Sequence, residues 1–102
     1  MEIRFDEQVA IVTGAGRGLG RSHAIAMASK GAKVVVNDFS GSQEISENAN
    51  SVVEEIISAG GEAIANGANV VNFDQVQCMV NETIDKWGRV DILPKAFSGR
   101  MA

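Results

Sequence analysis

The 102 residues include no tyrosine, and only one cysteine, one proline and one histidine. Without tyrosine, no phenol can serve as a proton donor or acceptor in catalysis. The single thiol, Cys78, cannot close an internal disulfide or supply a metal cluster, which excludes a disulfide scaffold and allows a reducing compartment. A basic excess is also missing. Nine Lys and Arg stand against 13 Asp and Glu, a formal charge of −4, which argues against a sequence-independent nucleic-acid binder with its basic stripe. No apolar run approaches the ~18 residues of a membrane-spanning helix. Met1 to Glu7 is too acidic and too poor in apolar residues for a signal peptide, so a cytoplasmic setting is the expectation. What is present is ordinary for a globular protein: 45% hydrophobic and 22% charged residues. The length allows one domain at most, and a chain of this size buries roughly 65% of its unfolded surface.

Along the chain, strand and helix signals alternate. Val9-Ala10-Ile11-Val12 is a short apolar run without alternation, which suits a strand buried on both faces of a parallel sheet. A glycine-rich loop, Thr13 to Gly20, leads to a helix over Arg21 to Lys30, rich in alanine and ended by Gly31. The strand signal returns in Ala32 to Asn37. After a polar loop, Ala49, Val52, Val53, Ile56 and Ile57 recur at helical spacing from about Ser46 until Gly60-Gly61. Glu62 to Ala65 predicts a third strand. Asp74 and Gln77 have the spacing of a capping box ahead of a helix whose apolar face is Val76, Met79, Val80, Thr83, Ile84 and Trp87, closed by Gly88. Val90-Asp91-Ile92-Leu93 predicts a fourth strand stopped by Pro94. Strands alternating with crossover helices imply an α/β fold: a parallel sheet of about four strands with helices on both faces.

The loop carries the chemistry. Glycines between a buried strand and a helix let the backbone turn and let a pyrophosphate approach, while the helix N-terminus offers unpaired N–H groups and a positive dipole end. Here Gly14, Gly16, Gly18 and Gly20 follow the spacing T-G-x-x-x-G-x-G from Thr13; G-x-G-x-x-G is not met, because Leu19 stands at the third glycine. Asp38 ends the second strand 18 residues after Gly20, near the ~20-residue interval at which a carboxylate reaches an adenosine ribose. A carboxylate there accepts from the ribose hydroxyls and repels a 2′-phosphate, which favours NAD over NADP. Arg17 argues the other way, since a guanidinium in the loop could pair with that phosphate and leave residual tolerance of NADP. His23 reads as a packed or solvated side chain, Cys78 as a small buried hydrophobe, and Glu54, Glu55, Glu82 and Asp85 as solvated helix faces without metal-ligand spacing.

Thr13 to Gly20, Asp38 after Val34-Val35-Val36-Asn37, and Trp87 to Leu93 together resemble the N-terminal half of a short-chain dehydrogenase/reductase, over residues 5 to 93. Val35 to Asp38 and the helix Val52 to Ile56 before Gly60-Gly61 look most similar to the 3-hydroxyacyl-CoA dehydrogenase units of multifunctional β-oxidation enzymes. The resemblance implies a partial Rossmann-type fold, NAD as cofactor and hydride transfer between NAD and a hydroxy or keto substrate. It also admits a peroxisomal setting. Gly14, Gly18 and Gly20 match the family glycines, with Arg17 and Leu19 lining the approach to pyrophosphate and nicotinamide. Asn69-Val70 stands where the family has Asp-Val, whose aspartate touches the adenine amino group; an asparagine can still accept through its side-chain oxygen.

The pattern breaks after Leu93. The family continues with Asn-Asn-Ala-Gly, where this chain has Pro94-Lys95-Ala96-Phe97, and the family's catalytic serine, Tyr-x-x-x-Lys and helical asparagine have no counterpart. Ser98 and Lys95, three residues apart, do not replace them, so no catalytic residue is assigned. The expectation is a dinucleotide-binding half over residues 1–93, cut before its catalytic centre, with an irregular tail over 94–102. Two alternatives are a non-catalytic nucleotide-binding or interaction module and an inactive truncation product. The fourth strand would then be an uncovered edge at Ile92 and Leu93, a template for self-association or a partner chain.

Overall fold

The computed structural model describes residues 4–41 and 44–91. Three strands, β1 (Val9–Val12), β2 (Lys33–Asn37) and β3 (Glu62–Asn66), alternate with three helices, α1 (Gly18–Ser29), α2 (Glu47–Ser58) and α3 (Phe73–Trp87). The strands form one parallel sheet in the order β1-β2-β3, with Ile11 opposite Val35 and Val35 opposite Ile64. β2 lies in the middle and carries the apolar run Val34-Val35-Val36, fully buried on both faces. Alternation along the strands divides the core. Val34, Val36 and Ala63 pack with Ala24 of α1 and with Ala49, Val52 and Ile56 of α2, whereas Ile11 and Val35 pack with Val76, Met79 and Val80 of α3. Burying each such valine or isoleucine contributes roughly 1.5–3 kcal/mol relative to exposure. The helices thus cover both faces of the sheet, as the element order requires.

Several local expectations shift. α1 begins at Gly18 rather than Arg21, so two loop glycines belong to its first turn. Its small residues, with Ala24 fully buried, seat it against the sheet. The cap of α3 is Asn72, whose side-chain oxygen accepts from the Gln75 N–H at 3.2 Å, and not Asp74, which lies inside the helix. Cys78 is exposed beside Asp74 and Glu82 in a surface hollow instead of the core. Ile84 is 45% exposed, one position past the stripe that ends in buried Thr83. Trp87 does pack against the α3 side of the core.

The fourth strand is the largest difference. Val90 and Asp91 are not in a strand, while Ile92, Leu93 and the whole 94–102 tail lie outside the described residues, as do the expected domain boundary and the uncovered edge. The chain does return to β1. On the side of β1 away from β2, the Asp91 N–H donates to the Val9 carbonyl at 2.9 Å, and the Val9 N–H donates to Asp91 Oδ2 at 2.9 Å. That is the flank of β1 on which a fourth strand was expected.

Arg89 donates to Asp91 Oδ1 through Nε at 3.0 Å and Nη2 at 2.6 Å. These bonds first, and the Val9 N–H second, hold the Asp91 carboxyl below the ordinary carboxylate range. A group whose pKa is lowered by folding adds stability above its unfolded value, near about 4. That stability is lost as the pH falls through the folded value. The wild type should therefore melt above Asp91→Asn at neutral pH, and the gap should close as the solution is acidified below the folded pKa. Thermal melts across that range test it; a gap unchanged by acid would show that the charge contributes nothing.

Candidate functional site

The C-terminal ends of β1, β2 and β3 carry the residues singled out in the sequence. β1 runs out through Val12 into the loop, and Ala15 folds back so that its N–H donates to the Asn37 carbonyl at the end of β2, at 2.9 Å. The loop glycines serve two purposes. Gly14 and Gly18 take φ of +60° and +63°, left-handed backbone that costs an ordinary L-residue about 1–2 kcal/mol. A Cβ at either would meet nothing within 4 Å, so the outer side of the loop is open. Gly16 and Gly20 are glycine for lack of room. A Cβ on Gly16 would stand 2.7 Å from Asp38 Cγ, and one on Gly20 would stand 2.8 Å from the Gly14 carbonyl carbon. Loop, helix and Asp38 are in contact because these two positions have no side chain.

Arg17 is the N-cap of α1 with extended backbone, and its side chain makes no capping bond. The first turn of α1 holds no acidic side chain. Its leading N–H groups therefore have neither an intrahelical partner nor a side-chain cap, and the positive end of the helix dipole is unopposed. Arg17 is exposed and forms no ion pair among the described residues; Leu19 is 73% exposed beside it. An open glycine loop, uncapped amides and one cation make a cradle for an anion such as a pyrophosphate.

Asp38 stands at the lip of this cradle. Its N–H donates to the Asn66 carbonyl of β3 at 3.0 Å, and its Oδ2 accepts from the Ser46 hydroxyl at 2.7 Å. Asn37, one residue earlier, is buried, and its Nδ2 donates to the Ala68 carbonyl at 3.0 Å and to Asn66 Oδ1 at 3.2 Å. Asn69 and Val70 lie on the same end of the sheet, after β3, but among the described residues no hydrogen bond joins them to the glycine loop. Asn69 Oδ1 accepts from the Val71 N–H at 3.2 Å in a local turn, its own N–H donates to Gln75 Oε1 at 2.8 Å, and Val70 packs against the α3 side of the core.

Three polar residues that the sequence marks only as element boundaries make contacts it does not announce: Asn37, Ser46 and Arg21. Arg21 bonds to Glu55 and ties α1 to α2 on the exposed side. The 34-residue separation of that pair leaves no local signal. His23 is exposed on α1. Among the described residues no cluster of His, Cys, Asp or Glu could hold a metal ion, and no helix is long and apolar enough to cross a membrane.

Residues 8–97 match the short chain dehydrogenase family. The chain is 51% identical over 86 residues to a 3-oxoacyl-[acyl-carrier-protein] reductase of Synechocystis sp., covering 84% of this chain and 33% of that protein. It is 45% identical over 96 residues to the peroxisomal hydratase-dehydrogenase-epimerase of Neurospora crassa, covering 90% of this chain and 10% of that protein. Its fold superposes with a TM-score of 0.79 on a 7α-hydroxysteroid dehydrogenase solved with NADH and 7-oxo glycochenodeoxycholic acid, at 40% identity, covering 88% of this chain and 33% of that one. The chain therefore spans a third or less of the length of these three proteins.

The two kinds of glycine should respond differently to a methyl group. Gly14→Ala meets open space and bears only the backbone strain, about 1–2 kcal/mol, whereas Gly20→Ala must push the loop carbonyl away and should destabilise the chain more. Thermal melts of the two variants check the order; a Gly20→Ala melting at or above Gly14→Ala would show that the loop yields freely.

Proposed function

The chain belongs to the short chain dehydrogenase family, and we propose that it is the dinucleotide-binding portion of an NAD-linked oxidoreductase acting between a hydroxy and a keto substrate. The observation that carries this reading is the Asp38 carboxylate lying against Gly16, in the loop that opens an uncapped α1. When bound, the nicotinamide supplies or accepts the hydride. The residues present fit such a group: Gly14 and Gly18 keep the loop's outer side open, and the first amides of α1 can donate to the pyrophosphate. Asp38 accepts from the adenosine ribose hydroxyls.

Discrimination follows from charge. A 2′-phosphate would bring up to about two negative charges beside Asp38, a carboxylate already hydrogen-bonded in place. Arg17, the one cation of the loop, offsets part of that repulsion, so NADPH is disfavoured rather than refused. For the substrate, the name of the Synechocystis relative supports a 3-oxoacyl group and its 3-hydroxyacyl product. Asn69 is the weakest member of the site, because its side-chain oxygen already accepts from Val71; the reading gives it at most a second bond from an adenine amino group. A cytoplasmic setting goes with the reading, with a peroxisomal one as the alternative that the name of the Neurospora crassa relative supports.

Proton transfer is a separate matter. The family's tyrosine has no counterpart in these 102 residues, which contain none. The chain by itself should bind NADH, prefer it to NADPH and turn over no alcohol or ketone. Asp38→Ala should weaken NADH roughly tenfold or more, since a hydrogen bond to a charged acceptor contributes about 1.5–3 kcal/mol. Titration by nicotinamide fluorescence reads both affinities. Equal affinity for the two nucleotides, or an Asp38→Ala variant binding NADH as the wild type does, would end the NAD assignment.

A further inference from the structure

We propose that Ser46 is the positioning residue that sets dinucleotide specificity, because one hydroxyl both orients the Asp38 carboxylate and starts α2. The proposal rests on the reading of Asp38 as the ribose acceptor.

A serine hydroxyl has one hydrogen to give and two lone pairs to receive with. At Ser46 the direction of each bond is fixed. The carboxylate oxygen of Asp38 accepts, so the hydroxyl hydrogen goes to its Oδ2, at 2.7 Å. The Ala49 N–H then donates to Ser46 Oγ at 3.0 Å, the N-cap bond of α2. The two bonds run in one chain, N–H to hydroxyl to carboxylate, and each polarises the next. The start of α2 also presents its positive dipole end toward this carboxylate.

Asp38 is held on three sides. Its N–H is bonded to Asn66, its Oδ2 to Ser46, and its Cγ lies so near Gly16 that a methyl group there would collide. Its Oδ1 has no donor among the described residues. That leaves one fixed acceptor, which suits a ligand with hydroxyl donors and has no group to offer a phosphate. Without Ser46 the carboxylate would be free to rotate about χ2, and its aim at the ribose would be lost even though Asp38 itself remained. A residue eight positions away in a polar loop would then control a preference normally ascribed to the acid alone.

Capping alone would explain the Ala49 bond, so the test must separate the two roles. Ser46→Thr keeps both bonds. Ser46→Asp keeps a good cap but places a second carboxylate against Asp38. Ser46→Ala loses both. NADH and NADPH affinities of the purified chain and its variants are measured by nicotinamide fluorescence, with a thermal melt of each. We expect Ser46→Thr to bind NADH as the wild type does. Ser46→Asp should stay folded, melting somewhat below the wild type because the two carboxylates repel, yet bind NADH roughly tenfold more weakly or worse. Ser46→Ala should show a smaller ratio of NADH to NADPH affinity. In an Asp38→Ala background the Ser46→Ala change should leave that ratio alone.

The outcomes separate the two claims. If the wild type prefers NADH, Asp38→Ala abolishes the preference, and Ser46→Asp binds NADH normally, then Ser46 only caps α2 and the proposal falls while the reading of the site stands. If the wild type binds neither nucleotide, or binds both equally, the reading of the site falls and this proposal with it.

Discussion

The C-terminal edge of the sheet depends on one buried side chain, the amide of Asn37. It sits at the end of a strand covered on both faces, where an unpaired polar group would cost several kilocalories per mole. Its Nδ2 is spent on Ala68 and Asn66 of the β3 side, and its main-chain carbonyl receives the Ala15 N–H of the glycine loop. Three chain segments far apart in sequence are thereby joined at one residue. Asp38 follows directly and inherits that fixed backbone. A hydrophobic residue at position 37 would fill the space and leave the loop and the β3 turn without their common partner.

From that point the division of the core makes geometric sense. Alternate residues of β2 face opposite helices, so α1 and α2 share one side of the sheet and α3 takes the other. The crossover of α3 brings the chain back to the free flank of β1, where Asp91 takes both main-chain groups of Val9. The chain thus passes from the β3 side of the sheet to the opposite flank of β1, and in open parallel sheets such a change of side leaves a crevice beyond the strand ends. The glycine loop leaves β1 into that crevice. Its openness comes from conformation at Gly14 and Gly18, and its closeness to Asp38 from the missing side chain at Gly16.

Much of this was legible because it is written in local pattern. Uninterrupted apolar runs marked β1 and β2, glycines marked every helix end, and the strand–glycine loop–helix order marked the open turn between β1 and α1. The misreadings have local physical causes too. Low helix propensity placed the start of α1 at Arg21, but contact between Gly20 and the Gly14 carbonyl lets the first turn begin at Gly18. Asn72 and Asp74 are both good caps two positions apart, and only the backbone shows which one leaves the helix. Cys78 was placed by residue type, whereas the α3 stripe through Val76, Met79, Val80 and Thr83 passes it by.

The sequence by itself determined three strands and three helices, their parallel arrangement and the glycine loop between β1 and α1, since each rests on residues within one or two turns of each other. The strand expected from Val90 onward is not among them. Tertiary structure decided the rest: that Asn37 joins three segments, that Ser46 reaches Asp38, that Arg21 meets Glu55, and that Asn69 turns its oxygen to Val71. These are polar contacts, and apart from the local turn at Asn69 they link residues brought together only by the fold. Hydrophobic periodicity announces which face is buried, but a hydrogen bond needs two particular atoms about 3 Å apart, and no spacing along a chain encodes that distance.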